Sequence, residues 1–593
     1  MAANQRRSFT LAALFLTLIT SLASGGESPS ADTRFESLGA RYVEEFGQFS
    51  PVSATALGDH RFDAELDDRS AAGRARALAW NRALLAELQD IDRASLSRAN
   101  QVDAAMLHNQ LRYSIWTEET YRDWSWDPLL YTQIVGQSLY GLLAREFAPL
   151  PERLQSVTSR LEKLPRLLEQ QRANLVPARV PAIHAETAIK QNPGVLSLVD
   201  ELVVPNIGSL PATEQARLKA AIDGARAAVQ EHQEWLENEL KPKAMGDFRI
   251  GRDLYDQKLS FALMSPLSRQ EIRARAEAEI IRTRSAMYDL ARRALTGRKD
   301  AAQMPDTPTA EQQQAVIAAA LQLAYEDRPA RDAVVARART ALEETTAFVR
   351  AGDFVSMPVE PLEIIVMPEF QRGVAVAYCD PPGPLDKGQR TFYAVSPIPS
   401  DWTQQQVDSF LREYNDRSID ELTIHEAMPG HYLQIAHANR YPSVLRATLS
   451  SGPFIEGWAV YAEELMIEQG FRSDDPLMKL VYLKWYLRAM TNAIMDSAIH
   501  VDGMTRDEAM KLMTQTGFQE EREAAGKWVR AQLTSTQLAT YFVGYQEHAD
   551  LRADAEQRLG KRFDLKRYHD QVLSYGSPPV RFVRELMFDE PIR

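Results

Sequence analysis

The sequence predicts a mostly helical protein in two packed lobes, with one small antiparallel β-sheet just ahead of a histidine-bearing helix. Three observations carry that reading. Apolar residues recur at intervals of three and four along most of the chain, the period of an α-helix with one buried face. The 593 residues exceed what a single hydrophobic core usually serves. The helical period is interrupted at length only between residues 362 and 400.

In order along the chain, Leu38, Tyr42 and Phe46 stand four apart within 33–47, and 66–95 and 98–121 continue in the same style. Residues 152–176 place Leu154, Leu161, Leu164, Leu167 and Leu168 on one stripe. Alanine- and arginine-rich helices follow at 211–240, 266–295, 309–325 and 328–350, and Pro/Gly-bearing breaks lie near 177–181, 193–211, 297–308 and 356–361. The interrupted stretch holds three β-like runs, Glu363–Met367, Gly373–Tyr378 and Arg390–Val395. The turn-rich Asp380-Pro381-Pro382-Gly383-Pro384 separates the second from the third. A sheet edge here has a use, because it can pair with an extended peptide. Helix then resumes to about residue 575. The expected division is a signal segment at 1–25, a mainly helical lobe at 26–355, and a lobe at 356–593 holding the sheet and the histidine motif.

The start of the chain reads as targeting rather than structure. Arg6 and Arg7 precede an apolar run from Phe9 to Ala23, and small residues follow at Ala23-Ser24-Gly25. This fits a secretory signal of the general type, or a twin-arginine signal through Arg6-Arg7-Ser8-Phe9. The mature chain is therefore expected in the periplasm or outside the cell. No cysteine stands at the cleavage site, which argues against a lipoprotein anchor, and no later segment is long and apolar enough to span a bilayer. A net charge of −13 argues against a nucleic-acid partner, which rewards a basic face. The one cysteine, Cys379, rules out an intrachain disulfide and a thiolate zinc cage, and reads as a small residue in an apolar strand.

The chemistry concentrates at His425-Glu426-Ala427-Met428-Pro429-Gly430-His431. A zinc hydrolase needs two neutral imidazoles, a third ligand, an open position for water and a carboxylate base beside it. The common solution puts the histidines four apart on one helix, with the base directly after the first. Here the second histidine is six on, a turn of roughly 600°, which sends it to the wrong side of a continuous helix. Pro429 removes a helical hydrogen bond, and Gly430 can take dihedrals closed to other residues. Together they can bulge the helix and return His431 to the face of His425, so an interruption between 422 and 437 is expected. The third ligand is expected from Glu456, 25 residues after His431 and flanked by Phe454 and Trp458. An unpaired carboxylate in that apolar setting is costly, and a metal would satisfy it. Glu463, on the same helix face, reads as a partner behind the ligands or a surface residue, and His437 as a weaker alternative ligand.

His-Glu-x-x-Pro-Gly-His with Tyr432-Leu433-Gln434, followed by Glu456-Gly457-Trp458-Ala459, resembles a bacterial family whose function is undefined. That family is placed among the zinc peptidases with a glutamate ligand. The resemblance extends through Ala377-Tyr378-Cys379-Asp380-Pro381-Pro382 and Asp496-Ser497-Ala498-Ile499-His500 to Tyr541-Phe542-Val543-Gly544. A more distant likeness, to converting-enzyme and oligopeptidase proteins, implies a deep cleft between helical lobes, with two histidines and a downstream glutamate on zinc. The six-residue spacing departs from that group and bears on His431. The likeness also implies that Tyr541 carries the transition-state hydroxyl, with Tyr545 the substitute one turn later.

Asp496 and His500 stand four apart on a helix, where the carboxylate can orient the imidazole for substrate binding or proton transfer. Arg488 could receive a substrate carboxylate. The expected enzyme holds one zinc ion on His425, His431 and Glu456, uses Glu426 as base, and has Tyr541 and His500 as further catalytic residues. Peptides are the expected substrates. A zinc amidase or esterase for small N-acylated molecules, and an inactive binding protein of the same fold, are the alternatives.

Overall fold

Side-chain caps start many of the helices that the periodicity predicts. Ser30, Ser70 and Ser97 each accept a hydrogen bond from the backbone N–H three residues on. Ser268, Thr309, Thr403 and Thr505 form reciprocal capping boxes with Glu271, Gln312, Gln406 and Glu508. The computed structural model describes residues 29–298, 303–368, 371–372 and 375–592, so the expected signal segment lies outside the described residues. Within them the protein is mostly α-helical with one small sheet. No helix among the described residues is long and apolar enough to cross a membrane.

Apolar faces collect into separate cores. One unites Val52 to Ala244 and contains the predicted stripe Leu154, Leu161, Leu164, Leu167 and Leu168, all buried in the helix Leu150–Asn174. A second joins Phe35, Tyr42 and Leu107 to Leu445, Leu449 and Phe582, fastening the chain's beginning to its end. The largest runs from Tyr255 to Val583 and surrounds the histidine motif. Helices between 252 and 352, expected in the first lobe, therefore pack with the C-terminal region, and the core changes near 250 rather than at 355. Periodicity identifies which face of a helix is buried, but not which neighbour covers it.

The sheet comprises β1 (Leu362–Val366), β2 (Ala377–Asp380) and β3 (Thr391–Val395) in the order β1-β3-β2. β2 pairs antiparallel with β3, as expected. β1 runs parallel to β3, so the sheet is mixed rather than antiparallel. The cause is connectivity: the chain leaves β1, forms β2 at the far edge, and returns through residues 381–390 to insert β3 between them. Two strands that are not consecutive need not reverse direction. All five residues of β3 are buried, as suits a central strand. The expected run Gly373–Tyr378 begins at residues outside the described set, and the strand occupies its last two positions and continues to Asp380.

Candidate metal centre

Asn415 accepts hydrogen bonds from the N–H groups of Arg417 and Ser418 and starts the helix Asp416–Glu426. That helix stops at Glu426, and a second begins at His431 and runs to Ala438. Between them the Met428–Pro429 peptide is cis. Gly430 has a φ of −76°, so left-handed freedom is not what it supplies. Space is: a Cβ there would stand 2.0 Å from the carbonyl oxygen of His425 and 2.3 Å from that of Ile424. Its N–H donates to the same Ile424 oxygen at 2.9 Å. The fold-back brings the two imidazoles together, with ring centroids 4.7 Å apart and nearly perpendicular planes.

Glu456 faces both rings from the helix Gly452–Glu468, which is started by Ser451 and Pro453 and anchored by the fully buried Phe454 and Trp458. Its Oε2 lies 3.7 Å from His425 Nε2 and 3.5 Å from His431 Nε2. These separations exceed a hydrogen bond. They match the edge of a coordination tetrahedron, since two ligands each about 2.1 Å from a zinc ion stand about 3.4 Å apart. Oε2 is buried and has no hydrogen-bond partner among the described residues. The three ligand atoms lie within 4.8 Å of one another. Two imidazoles and a carboxylate form a donor set that zinc accepts, so the residues fit the metal the sequence implies.

The surroundings reinforce the fit. His425 Nδ1 lies 2.7 Å from Glu463 Oε1, which leaves Nε2 as the ligand atom. Burial alone would raise the pKa of Glu456, but the two imidazoles outweigh it and hold the carboxyl well below its usual range. Burial likewise opposes a charged His425, yet Glu456 and Glu463 raise its pKa strongly. The cluster thus demands positive charge, which protons supply when a metal does not. Glu421, one turn before His425, is fully buried with neither oxygen bonded. Burial, then the charge of Glu463, raises its pKa far above normal.

Glu426 is buried at the end of the first motif helix, and its Oε2 accepts the Cys379 backbone N–H of β2 at 2.9 Å. The Cys379 thiol is pushed well above its usual pKa by burial and the neighbouring Glu426, so it is not a nucleophile. The helix Ala539–Leu559 meets the glutamate helix backbone to backbone, where a Cβ on Gly457 would stand 2.2 Å from the Gly544 carbonyl carbon. That approach sets the Tyr541 ring 6.2 Å from His425, centroid to centroid. The Tyr541 hydroxyl oxygen accepts from Arg530 Nη2 at 3.0 Å and Gln537 Nε2 at 3.2 Å, leaving its own proton to donate. Tyr545 is turned elsewhere and donates to Glu464 at 2.7 Å. Beside Gln537 opens a cavity of about 330 Å³ lined by Met106, Tyr113, Phe261, Leu449 and Pro453.

Other expected residues are not brought to the cluster. His500 Nε2 donates to the carbonyls of Ala531 (3.0 Å) and Thr534 (2.8 Å). Asp496 accepts from the N–H groups of Thr536 and Ala539, both at 3.0 Å, instead of holding the imidazole. The pair builds the turn that launches the Tyr541 helix. Arg488 is engaged by Glu523 and Tyr414, and His437 by the Ser356 carbonyl. Sequence reasoning missed Arg530, Gln537 and Glu421. Only Glu421 carried a signal, a carboxylate four residues before His425 and so on its helix face.

Fold and site together define a mostly helical protein with a two-histidine, one-glutamate cluster beside a buried carboxylate and a tyrosine. The chain belongs to a bacterial family described as "Bacterial protein of unknown function (DUF885)", whose profile matches residues 51–587. It is similar to a solved structure described as "a putative lipoprotein of unknown function from Shewanella oneidensis", with 33% identity and a TM-score of 0.77, covering 93% of this chain and 99% of that one. A "putative lipoprotein from Colwellia psychrerythraea" shares the fold at 18% identity and the same TM-score, covering 94% of this chain and 99% of that one. No curated protein matches the chain. The likeness to glutamate-ligand zinc peptidases and converting-enzyme proteins has no counterpart in these comparisons.

Proposed function

We propose that this protein is an exported zinc-dependent hydrolase of short peptides, of the glutamate-ligand type. The observation that carries the reading is Glu456 Oε2, buried, without a hydrogen bond, and at ligand spacing from two imidazole Nε2 atoms. His425, His431 and Glu456 would hold the ion. When bound, zinc supplies the Lewis acidity that makes water nucleophilic near neutral pH.

The residues of the chain supply the rest. The Cys379 N–H fixes one oxygen of Glu426, and the other is left to take a proton from the attacking water. Tyr541, its oxygen already accepting from Arg530 and Gln537, donates a hydrogen bond to the oxyanion that develops on the carbonyl and keeps its proton. Glu426 then passes its proton to the leaving amine, so one water is consumed and an acid and an amine are released. Glu463 holds His425 in one tautomer throughout. An intact base beside the ligands supports turnover over mere metal storage, which needs no such group.

The test is metal analysis together with a peptide-library cleavage screen, on the natural sequence and on Glu426→Gln. About one zinc per chain in both proteins is expected, with cleavage only in the first. Absence of metal, or equal cleavage by both, would overturn the reading.

A further inference from the structure

The helix Glu521–Leu533 carries Glu523, Lys527 and Arg530 at intervals of four and three, hence on one face. Arg488, from the helix Met478–Ser497, pairs with Glu523, which also accepts from the Tyr414 hydroxyl at 3.0 Å. Lys527 is 6% exposed, yet among the described residues its ammonium has one ion-pair partner, Glu523 at 3.8 Å, beyond hydrogen-bond range. Arg488 Nη1 is buried with no hydrogen-bond partner among the described residues. The other nearby carboxylate, Glu413, is committed to Lys484 and to the Glu520 N–H, both at 2.8 Å, and stands 3.9 Å from Arg488. Arg530 spends Nη2 on Gln537 and Tyr541, and no bond among the described residues leaves its other nitrogens. Arg488 thus leans on the Glu523 carboxylate, Lys527 stands just beyond its reach with its charge disfavoured by burial and by the two arginines, and Arg530 carries the row on to the Tyr541 hydroxyl.

Buried cations lacking a full set of acceptors are costly unless an anion completes them. Guanidinium and ammonium donors together suit a carboxylate, which accepts on two oxygens. We infer that the row Arg488–Lys527–Arg530 binds the terminal carboxylate of the substrate, making the enzyme select bonds near a free C-terminus. The inference rests on the peptide-hydrolase reading of the neighbouring cluster. It assigns Lys527 and Arg488 to recognition, and gives Arg530 a second task beside orienting Tyr541. The anion is held at one end of the row while the scissile carbonyl lies at the other, against Tyr541 and Glu426.

Three peptides of one sequence test it: one with a free C-terminal carboxylate, one C-terminally amidated, and one amidated with a glutamate near that end. Amidation is expected to lower kcat/KM about tenfold or more, chiefly through KM, the scale of losing charge-assisted hydrogen bonds. Lys527→Met is expected to bring the free-acid peptide down toward the amide while leaving the amide within about twofold, a change of ratio that general loss of structure does not produce. Calorimetry on Glu426→Gln, with an N-acetylated amino acid against its amide, reads recognition without turnover and should favour the acid. Cleavage of acid and amide peptides at equal kcat/KM overturns the inference while peptide hydrolysis stands. No cleavage of any peptide, with selective binding of the acid, upholds carboxylate binding by the row but overturns the hydrolase reading and the bond selection that rests on it. Recovery of rate with the internal glutamate assigns the row to a side-chain carboxylate and overturns the terminal assignment. Equal loss on both peptides in Lys527→Met makes the row structural and likewise overturns it.

Discussion

Trp458 donates its indole N–H to the carbonyl oxygen of Pro429 at 2.9 Å, joining the glutamate helix to the loop between the two histidines. Both are buried, and the bond sets Glu456 in register with the folded-back motif. Trp458→Phe retains most of the ring and orphans the carbonyl, at a cost of about 1–3 kcal/mol in stability. Zinc affinity should fall about tenfold, because a support behind the ligands is lost. Urea unfolding and titration against a chromophoric chelator measure the two effects.

Gly430→Ala drives a methyl group into the His425 and Ile424 carbonyls, which are backbone and cannot swing aside. The motif must open to admit it, and His431 then leaves the His425 face. The expected result is a folded protein by circular dichroism with little bound zinc by elemental analysis. Full zinc content in this variant would show that the fold-back does not set the ligand geometry.

Tyr541→Phe removes the hydroxyl held by Arg530 and Gln537 and should lower kcat about a hundredfold, about 3 kcal/mol of barrier, with KM little changed. Tyr545→Phe breaks the bond to Glu464 and should leave kcat near that of the natural sequence. Steady-state kinetics on any peptide found in the library screen separates the two tyrosines.

Glu463→Gln keeps a hydrogen bond to His425 Nδ1 but removes its charge. Metal affinity should weaken about 10- to 100-fold, the usual cost of losing the group behind a histidine ligand. Competition with a chelator of known affinity reads it directly.

Far from the cluster, His60 lies 3.0 Å from both Asp63 and Asp386, tying the start of the chain to the loop after β2. Burial disfavours its charge, but the bonds to Asp386 and Asp63 prevail and raise its pKa to about 9. The folded value exceeds the unfolded one near 6.5, so this stabilisation is complete below about pH 6.5 and lost as pH rises through about 9. The stability difference between the natural sequence and His60→Gln, measured in urea, should be largest near pH 6 and shrink toward pH 10.

Much of this was legible in sequence because it depends on short-range order. Helix periodicity, the interruption at Pro429-Gly430 and the run of β-like residues are local patterns, and they emerge as helices, a broken motif and a three-stranded sheet. The pairing of β1 with β3 is not local, and depends on where the chain returns after β2. Gly430 was singled out for dihedrals closed to other residues, and its φ of −76° with ψ of −128° lies outside the regions those residues favour; the close approach of two carbonyls could not be seen in a one-dimensional string. The cluster of His425, His431 and Glu456 followed from residue types a metal demands. Arg530, Gln537 and Lys527 did not, because ordinary polar residues on a helix give no sign of what they face. The Asp496–His500 pair carried a recognisable spacing, yet its bonds go to backbone at the start of the Tyr541 helix.

The bond from Cys379 N–H to Glu426 means that this carboxylate, carried at the end of a helix, has one oxygen fixed by a strand, while the histidines and Glu456 are set by helices alone. In the proposed enzyme, ion retention would depend on helices alone and proton transfer on the sheet as well. A displacement of the sheet by a fraction of an ångström would misplace the proton acceptor and leave the ion where it was. On the proposed reading, zinc content alone is then no measure of competence, and a fully loaded preparation with a disturbed sheet would be silent.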